Sequence, residues 1–275
     1  MNKNIIVIGS GWLGSPLSKA LAQSGHKVTA TTTSTDKLAP LNEQGFDLIL
    51  LNSQKLIQQD QAMWPQINAD LMIITIPPQR GQTDYFEQLK VLAQLALNNK
   101  VRQLLFISSS SVWANCHGMI TEQTTANPMT ATGQAMVNFS QWLHQSALDA
   151  TTLHLTGLIN EQRHPGRFLA GKSALSQANA AVNLIHQQDC IGLIERIIDK
   201  QYWGHQAIGC APSHPTRREF YIKAAQRLGL EPPTFNDAGI VQQENDTKII
   251  NAQATATALD YHYQISDLIK WLHST

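Results

Sequence analysis

Three glycines, Gly9, Gly11 and Gly14, stand at the G-x-G-x-x-G spacing that lets backbone amides close on a pair of phosphates. Gly9 permits a tight turn, Gly11 lets a pyrophosphate approach the backbone, and Gly14 lets a helix sit close to the strand before it. Trp12 and Leu13 fill the turn between them. A run of β-branched residues, Ile5 to Ile8, precedes the glycines, and an apolar helical pattern at Leu17 and Leu21 follows them. The expected chemistry is dinucleotide binding, with free N–H groups and the positive end of the helix aimed at the phosphates.

Further along lie the groups expected to select and complete that ligand. About 20 residues past the glycines, NAD-selective sites place an acidic side chain on the ribose 2′-hydroxyl. Here that place holds Thr31, Thr32, Thr33, Ser34 and Thr35. Short hydroxyls leave room for a 2′-phosphate that Lys37 would approach, so NADP is the preferred cofactor and NAD the alternative. Ser34 or Thr35 also serves as a helix cap with Asp36 in the first turn. Pro77 and Ser108 follow apolar runs, where open α/β sheets bind ligands at the carboxyl ends of strands.

A second group of polar residues suits an anion. Arg163-His-Pro-Gly-Arg167 puts two guanidiniums around a turn, fit for bidentate contact with phosphate or carboxylate, with Lys172 nearby. His214, Arg217 and Arg218 form a second cationic cluster, expected to meet the first across a cleft. Arg163, His164, Arg167, His214 and Arg217 are thus candidate anion-binding residues. A pairing with surface carboxylates, or a solvated helix start, are the structural alternatives.

The elements that must position these groups alternate strand and helix. Strands are expected at His26–Thr32, Phe46–Leu51, Leu71–Ile76, Gln103–Ile107 and Thr152–Leu158. Helices are expected at Tyr85–Leu97, after Pro128, at Cys190–Ile198 with Asp189 as its cap, around Phe220–Leu228, and at Ile265–Leu272. The stretches Gln54–Gln61 and Ser176–Ala181 read as loops or exposed helix faces. The fold class is α/β, a Rossmann-type doubly wound parallel sheet. The dinucleotide-binding domain spans 1–156, and 157–275 completes the sheet and forms a small C-terminal substrate-side lobe.

The chain has 275 residues, with twenty basic side chains balancing twenty acidic ones. That balance favours neither nucleic acid nor an anionic membrane surface. No apolar stretch approaches the roughly 18 residues of a membrane span, and no charged leader precedes a hydrophobic run, so a cytoplasmic location is expected. Cys116, Cys190 and Cys210 have no CxxC spacing, so neither a metal site nor a disulfide framework is expected.

Taken together, the glycine motif, Phe106-Ile-Ser-Ser-Ser-Ser-Val-Trp113, Pro128, Val182-Asn-Leu-Ile-His-Gln-Gln-Asp189 and Gly209-Cys-Ala-Pro212 resemble the extended short-chain dehydrogenase/reductase superfamily over nearly the whole chain. Within it the chain is similar to atypical NAD(P)-binding, nucleoside-diphosphate-sugar epimerase/dehydratase-like members, which also carry the Gly-Trp-Leu-Gly turn and the Arg-His-Pro-Gly-Arg-Phe loop. The resemblance implies an oxidoreductase-type chemistry on a small molecule of the nucleotide-sugar kind, with Arg163, His164, Arg167, His214 and Arg217 as its substrate-binding residues, and homodimers are common in that superfamily. It implies a catalytic role for Ser109, with a tyrosine and a lysine four residues later. Those two positions fall on Thr132 and Met136, and none of the five tyrosines has a lysine four residues on.

Positioned acid–base catalysis contributes roughly 10²- to 10⁴-fold, and a threonine hydroxyl is far too weak an acid to supply it. His117, Glu122, His164, His186 and Asp189 are the substitutes considered, each with a structural role as the alternative. Whether the chain is an enzyme is left open. The other class is a non-catalytic NADP(H) sensor or scaffold.

Overall fold

The computed structural model describes residues 2–37, 46–236 and 247–274, with only the backbone of Lys37. In chain order its elements are β1 (Asn4–Ile8), α1 (Gly14–Gln23), β2 (Lys27–Thr32), a 3-10 turn (Thr35–Lys37), β3 (Asp47–Leu50), α2 (Ser53–Gln58) and β4 (Leu71–Ile74). Then come α3 (Tyr85–Asn98), β5 (Gln103–Ser109), β6 (Gly118–Ile120), α4 (Ala131–His144), β7 (Asp149–Leu155), β8 (Gly157–Ile159), α5 (Gly166–Leu169) and β9 (Leu184–His186). The rest are α6 (Gln187–Asp199), β10 (Gln206–Gly209), α7 (Arg217–Arg227), β11 (Lys248–Ile250), α8 (Gln253–Leu259) and α9 (Leu268–Ser274).

Seven strands form a parallel sheet in the order β10-β7-β5-β4-β1-β2-β3. Registers such as Val7 opposite Ala30 and Val7 opposite Ile73 put β1 between β2 and β4. The chain runs outward through β2 and β3, then returns to the other side of β1 at β4. That reversal is the topological switch point, where ligands bind beyond the strand ends. Ile5 to Ile8 and Leu71 to Ile74 are buried throughout, as strands covered on both faces must be. The expected α/β class and doubly wound parallel sheet are therefore observed.

The chain divides into two compact units. One comprises residues 1–112, 128–154 and 197–206; the other comprises 113–127, 155–196 and 207–275. In the second, Ile159, Val182, Leu184, Phe220, Leu268 and Trp271 share a core. Each buried side chain of this size contributes about 1.5–3 kcal/mol. Gly166 has no room for a side chain, because a Cβ there would overlap the Ala224 carbonyl, so α5 packs directly onto α7.

Two local expectations need correction. The strand expected at Thr152–Leu158 begins at Asp149 and stops at Leu155. Thr156 turns its N–H (3.0 Å) and its hydroxyl (3.2 Å) to the Gly209 carbonyl, and Gly157 then opens β8 against β9. Gln54–Gln61, expected as a loop or an exposed helix face, is largely the helix α2 with every residue but Leu56 exposed, and Asn52 caps it, its side chain accepting from Gln54 N–H at 3.0 Å.

Asp189 does not cap the helix after it. The helix starts two residues earlier at Gln187, and the wholly buried Asp189 carboxylate accepts from Tyr261 O–H (2.7 Å), Gln264 N–H (2.7 Å) and Ile265 N–H (3.1 Å). It ties the segment leading into α9 to the side of α6. No helix among the described residues is long and apolar enough to cross a membrane.

Candidate functional site

Each glycine of the turn joining β1 to α1 has a different neighbourhood. Gly9 has φ +101°, a left-handed conformation that a side chain rarely adopts, and a Cβ there would come 2.8 Å from Ile76 Cγ2. A Cβ on Gly14 would overlap the Gly9 carbonyl, so the start of α1 lies against the turn. Beside Gly11 there is open space, with nothing within 4 Å of such a carbon. The first is needed for the turn, the second for the helix contact, and the third leaves the room a phosphate pair requires. Leu13 is buried beneath the turn and Trp12 half-buried at its rim.

Neighbouring strand ends hold the turn in place. Gly9 N–H donates to Thr31 Oγ1 at 2.9 Å, and Ser10 N–H donates to the Thr31 carbonyl at 2.9 Å. From the other side, Thr75 Oγ1 reaches the carbonyls of Ile8 (3.0 Å) and Gly9 (2.9 Å). Thr31 is buried and Thr32 Oγ1 accepts from Ser34 N–H at 3.2 Å, so both hydroxyls serve local structure. Of the threonines at the end of β2, Thr33 is the exposed one. The Lys37 side chain lies outside the described residues. Pro77 is exposed three residues beyond β4, and the Ile76 carbonyl before it accepts from Tyr85 O–H at 2.8 Å.

The serines closing β5 divide sharply. Ser108 is buried at 5% exposure and its Oγ has no hydrogen-bond partner among the described residues, an unmet polar atom of the kind native structures rarely tolerate. Ser109 is half-buried, and its Oγ accepts from Ser111 N–H at 3.2 Å. Thr132 lies in the first turn of α4 with its hydroxyl 3.2 Å from that of Thr130, and Met136 is buried one turn on. The first unit holds Tyr85, committed to the Ile76 carbonyl, and Tyr202, stacked on His205.

The proposed substrate residues lie in the second unit, and the structure does not bring them all together. Arg163 on the loop into α5 and Arg167 within α5 are both exposed. His164 between them is 3% exposed, stacked on Trp271 at 5.5 Å, with Gly166 N–H donating to its Nδ1 at 3.1 Å. Burial and the charges of Arg167 and Arg227 hold it below the ordinary histidine range. His164 is therefore a core residue, contrary to its expected place on a binding face.

Arg217 opens α7, whereas Gly166 packs on Ala224, about 10 Å further along that helix. The two cationic clusters thus meet different turns of α7. His214 is half-buried, its Nδ1 3.3 Å from the Val182 carbonyl, and burial lowers its pKa. Arg217 and Arg218 lie over the Phe235 ring at 6.0 and 5.8 Å.

A cavity of ≈ 330 Å³ within the second unit brings Arg217 together with residues that sequence spacing does not connect. Cys116, His117, Asn183, Tyr221 and Lys248 line it with Arg217. Lys248 arrives through the pairing of β11 with β6, a contact across more than a hundred residues that no local pattern announces. Its ammonium donates to the Trp113 carbonyl at 3.2 Å, and burial lowers its pKa while Cys116 acts in the opposite direction. Burial raises the pKa of Tyr221 and Arg217 lowers it.

Of the candidate acid–base groups, only His117 lines this cavity. Glu122 Oε1 accepts from Thr255 N–H and Oγ1 at the start of α8. His186 is buried against Trp271, 3.4 Å from Glu161, and Asp189 is the latch described above.

A sequence model described as NAD(P)H-binding matches residues 9–184. Protein YeeZ of Escherichia coli (strain K12) is 34% identical over 270 residues, covering 96% of this chain and 97% of that protein. Among solved structures, a conserved protein of unknown function from Silicibacter pomeroyi DSS superposes with TM-score 0.78 at 18% identity, covering 99% and 98% of the two chains. The Bordetella bronchiseptica enzyme WbmG in complex with NAD gives 0.76 at 14%, covering 100% and 94%. UDP-glucuronic acid 4-epimerase from Bacillus cereus in complex with NAD gives 0.72 at 16%, covering 98% and 96%. At these identities the likeness is one of fold.

Proposed function

The chain belongs to the NAD(P)H-binding family, and from that premise we propose that it is an NAD(P)-dependent oxidoreductase of the epimerase/dehydratase type, acting on a small molecule of the nucleotide-sugar kind. The observation that carries the cofactor half is the open space beside Gly11, between two glycines whose neighbours leave no room for a side chain. Gly9, Gly11, Trp12, Leu13 and Gly14 form the pyrophosphate cradle at the switch point. Thr33 receives the 2′-phosphate of NADP, the preferred form, while Thr31 and Thr32 shape the strand end that presents it. Pro77 and Ser108 would border the cofactor, which would give the buried Ser108 hydroxyl the partner it lacks among the described residues.

The bound nicotinamide supplies a hydride acceptor or donor. Ser109 hydrogen-bonds the reacting oxygen. With Thr132 and Met136 where the resembling superfamily has tyrosine and lysine, the proton must move through another group. Arg217 and the cavity around it hold the substrate's anionic portion, with Arg163 and Arg167 as a separate exposed pair.

Screening carbonyl compounds and sugar nucleotides with NADPH and NADP tests this reading. Hydride transfer lost in Ser109→Ala supports it, and no transfer across a broad panel contradicts it. The second reading, a non-catalytic NADP(H) sensor, draws support from Met136 and Thr132 alone. It predicts tight dinucleotide binding with no turnover.

A further inference from the structure

We propose that the ≈ 330 Å³ cavity of the second unit is an oxyanion site, in which Arg217 and Lys248 together hold the phosphate or carboxylate group of a compact ligand. The proposal rests on the reading that this unit receives the substrate, and it deepens it by naming which cations do so. Both charges lining the cavity are positive, and none of its described lining residues is acidic. Two like charges lining one partly dehydrated space repel each other, and an anion relieves that repulsion.

The backbone around them is fixed before any ligand arrives. Asn183 donates to the Lys248 carbonyl at 2.9 Å and accepts from Ile250 N–H at 2.9 Å, holding β11 against the floor of the cavity. Arg217 N–H donates to the Ala180 carbonyl at 2.8 Å, and its Nη1 donates to the Ser176 carbonyl at 2.7 Å. A guanidinium anchored in this way keeps a planar fork for two oxygens of one anion, and the Lys248 ammonium adds a point charge. The volume lies at the small end of ligand pockets, about 300–1,000 Å³, so a single headgroup with a modest body fills it.

Cys116 lines the same cavity and is partly exposed, whereas Cys190 and Cys210 are buried. Its alkylation therefore reports occupancy without any need for turnover. The full chain is treated with iodoacetamide and Cys116 modification is followed by mass spectrometry. Inorganic pyrophosphate is added in one arm and malonate in another. Protection by either anion is expected, slowing the reaction about tenfold at some ten times the Kd, and the arm that protects identifies the oxyanion class.

In Arg217→Gln and Lys248→Gln the half-protecting concentration should rise about tenfold or more, as expected for loss of a charged hydrogen-bonding partner. Lys248→Gln keeps an N–H for the Trp113 carbonyl, and circular dichroism verifies the fold of both variants. Gly11→Val should lose NADPH binding and keep the protection, so failure of the dinucleotide site and failure of this one are separable. No protection by either anion, or protection unchanged in both cation variants, overturns the proposal.

Discussion

Gly9 N–H donates to the hydroxyl oxygen of Thr31 at 2.9 Å, so the end of β2 holds the glycine turn at the end of β1. The side chain that position and type would assign to a cofactor 2′-phosphate is instead part of the cradle's frame.

The consequence is a rescue pattern. Thr31→Val should cost about 1 kcal/mol of stability, the usual size for one lost hydrogen bond, and weaken NADPH binding by loosening the turn. Thr31→Ser should restore both. Thermal melts beside calorimetric titrations check this, and Thr31→Val binding NADPH like the parent would show that the bond does not hold the turn.

Gly14 and Gly11 should part company when given a methyl group. Gly14→Ala drives its Cβ into the Gly9 carbonyl and should reduce stability by several kcal/mol or prevent folding. Gly11→Ala meets open space in the free protein and should leave the melting temperature within a few degrees, while dinucleotide affinity falls. Equal loss of stability in both would contradict the different surroundings of the two glycines.

Local chemistry that reads forward along the chain was legible in the sequence. The Gly9–Gly14 turn, the runs Ile5–Ile8 and Leu71–Ile74, and the serines closing β5 all lie where spacing and β-branching put them. Asp189 was legible as structural but not as a latch, because its donors come from Tyr261, Gln264 and Ile265, more than seventy residues away. His164 sits in a basic, turn-like sequence that suggests exposure, yet Trp271 from the last helix covers it. The cavity was invisible for the same reason, since Lys248 joins Arg217 only after β11 pairs with β6.

Asp189→Asn keeps the size of the latch but loses its charge and one acceptor oxygen. Hydrogen bonds to a charged group contribute about 1.5–3 kcal/mol each, so a loss of at least 2 kcal/mol is expected by urea unfolding. The faster amide exchange should be concentrated at Gln264 and Ile265. A variant as stable as the parent would remove the latch from the account.

His154, buried on β7, gives a stability dependence on pH with a definite sign. Burial lowers its pKa to about 4 against bonds to Gln206 and the Ser109 backbone that push upward, so the folded state keeps it neutral. Above the ordinary histidine pKa both states are neutral and the full stability is present. As pH falls from about 6.5 towards 4 the unfolded chain takes up a proton the native one refuses, costing on the order of 3 kcal/mol. Urea midpoints at about pH 7.5 and 5 should fall apart in the parent and draw closer in His154→Gln. An unchanged difference in that variant would assign the pH dependence elsewhere.

The most direct test of the dinucleotide site is calorimetric titration of the purified chain with NADPH, NADP, NADH and NAD, beside Gly11→Val. The account predicts that the parent binds, that the phosphorylated forms bind more tightly, and that Gly11→Val folds but binds none. No heat of binding with any form, or a Gly11→Val protein that binds as the parent does, would contradict it.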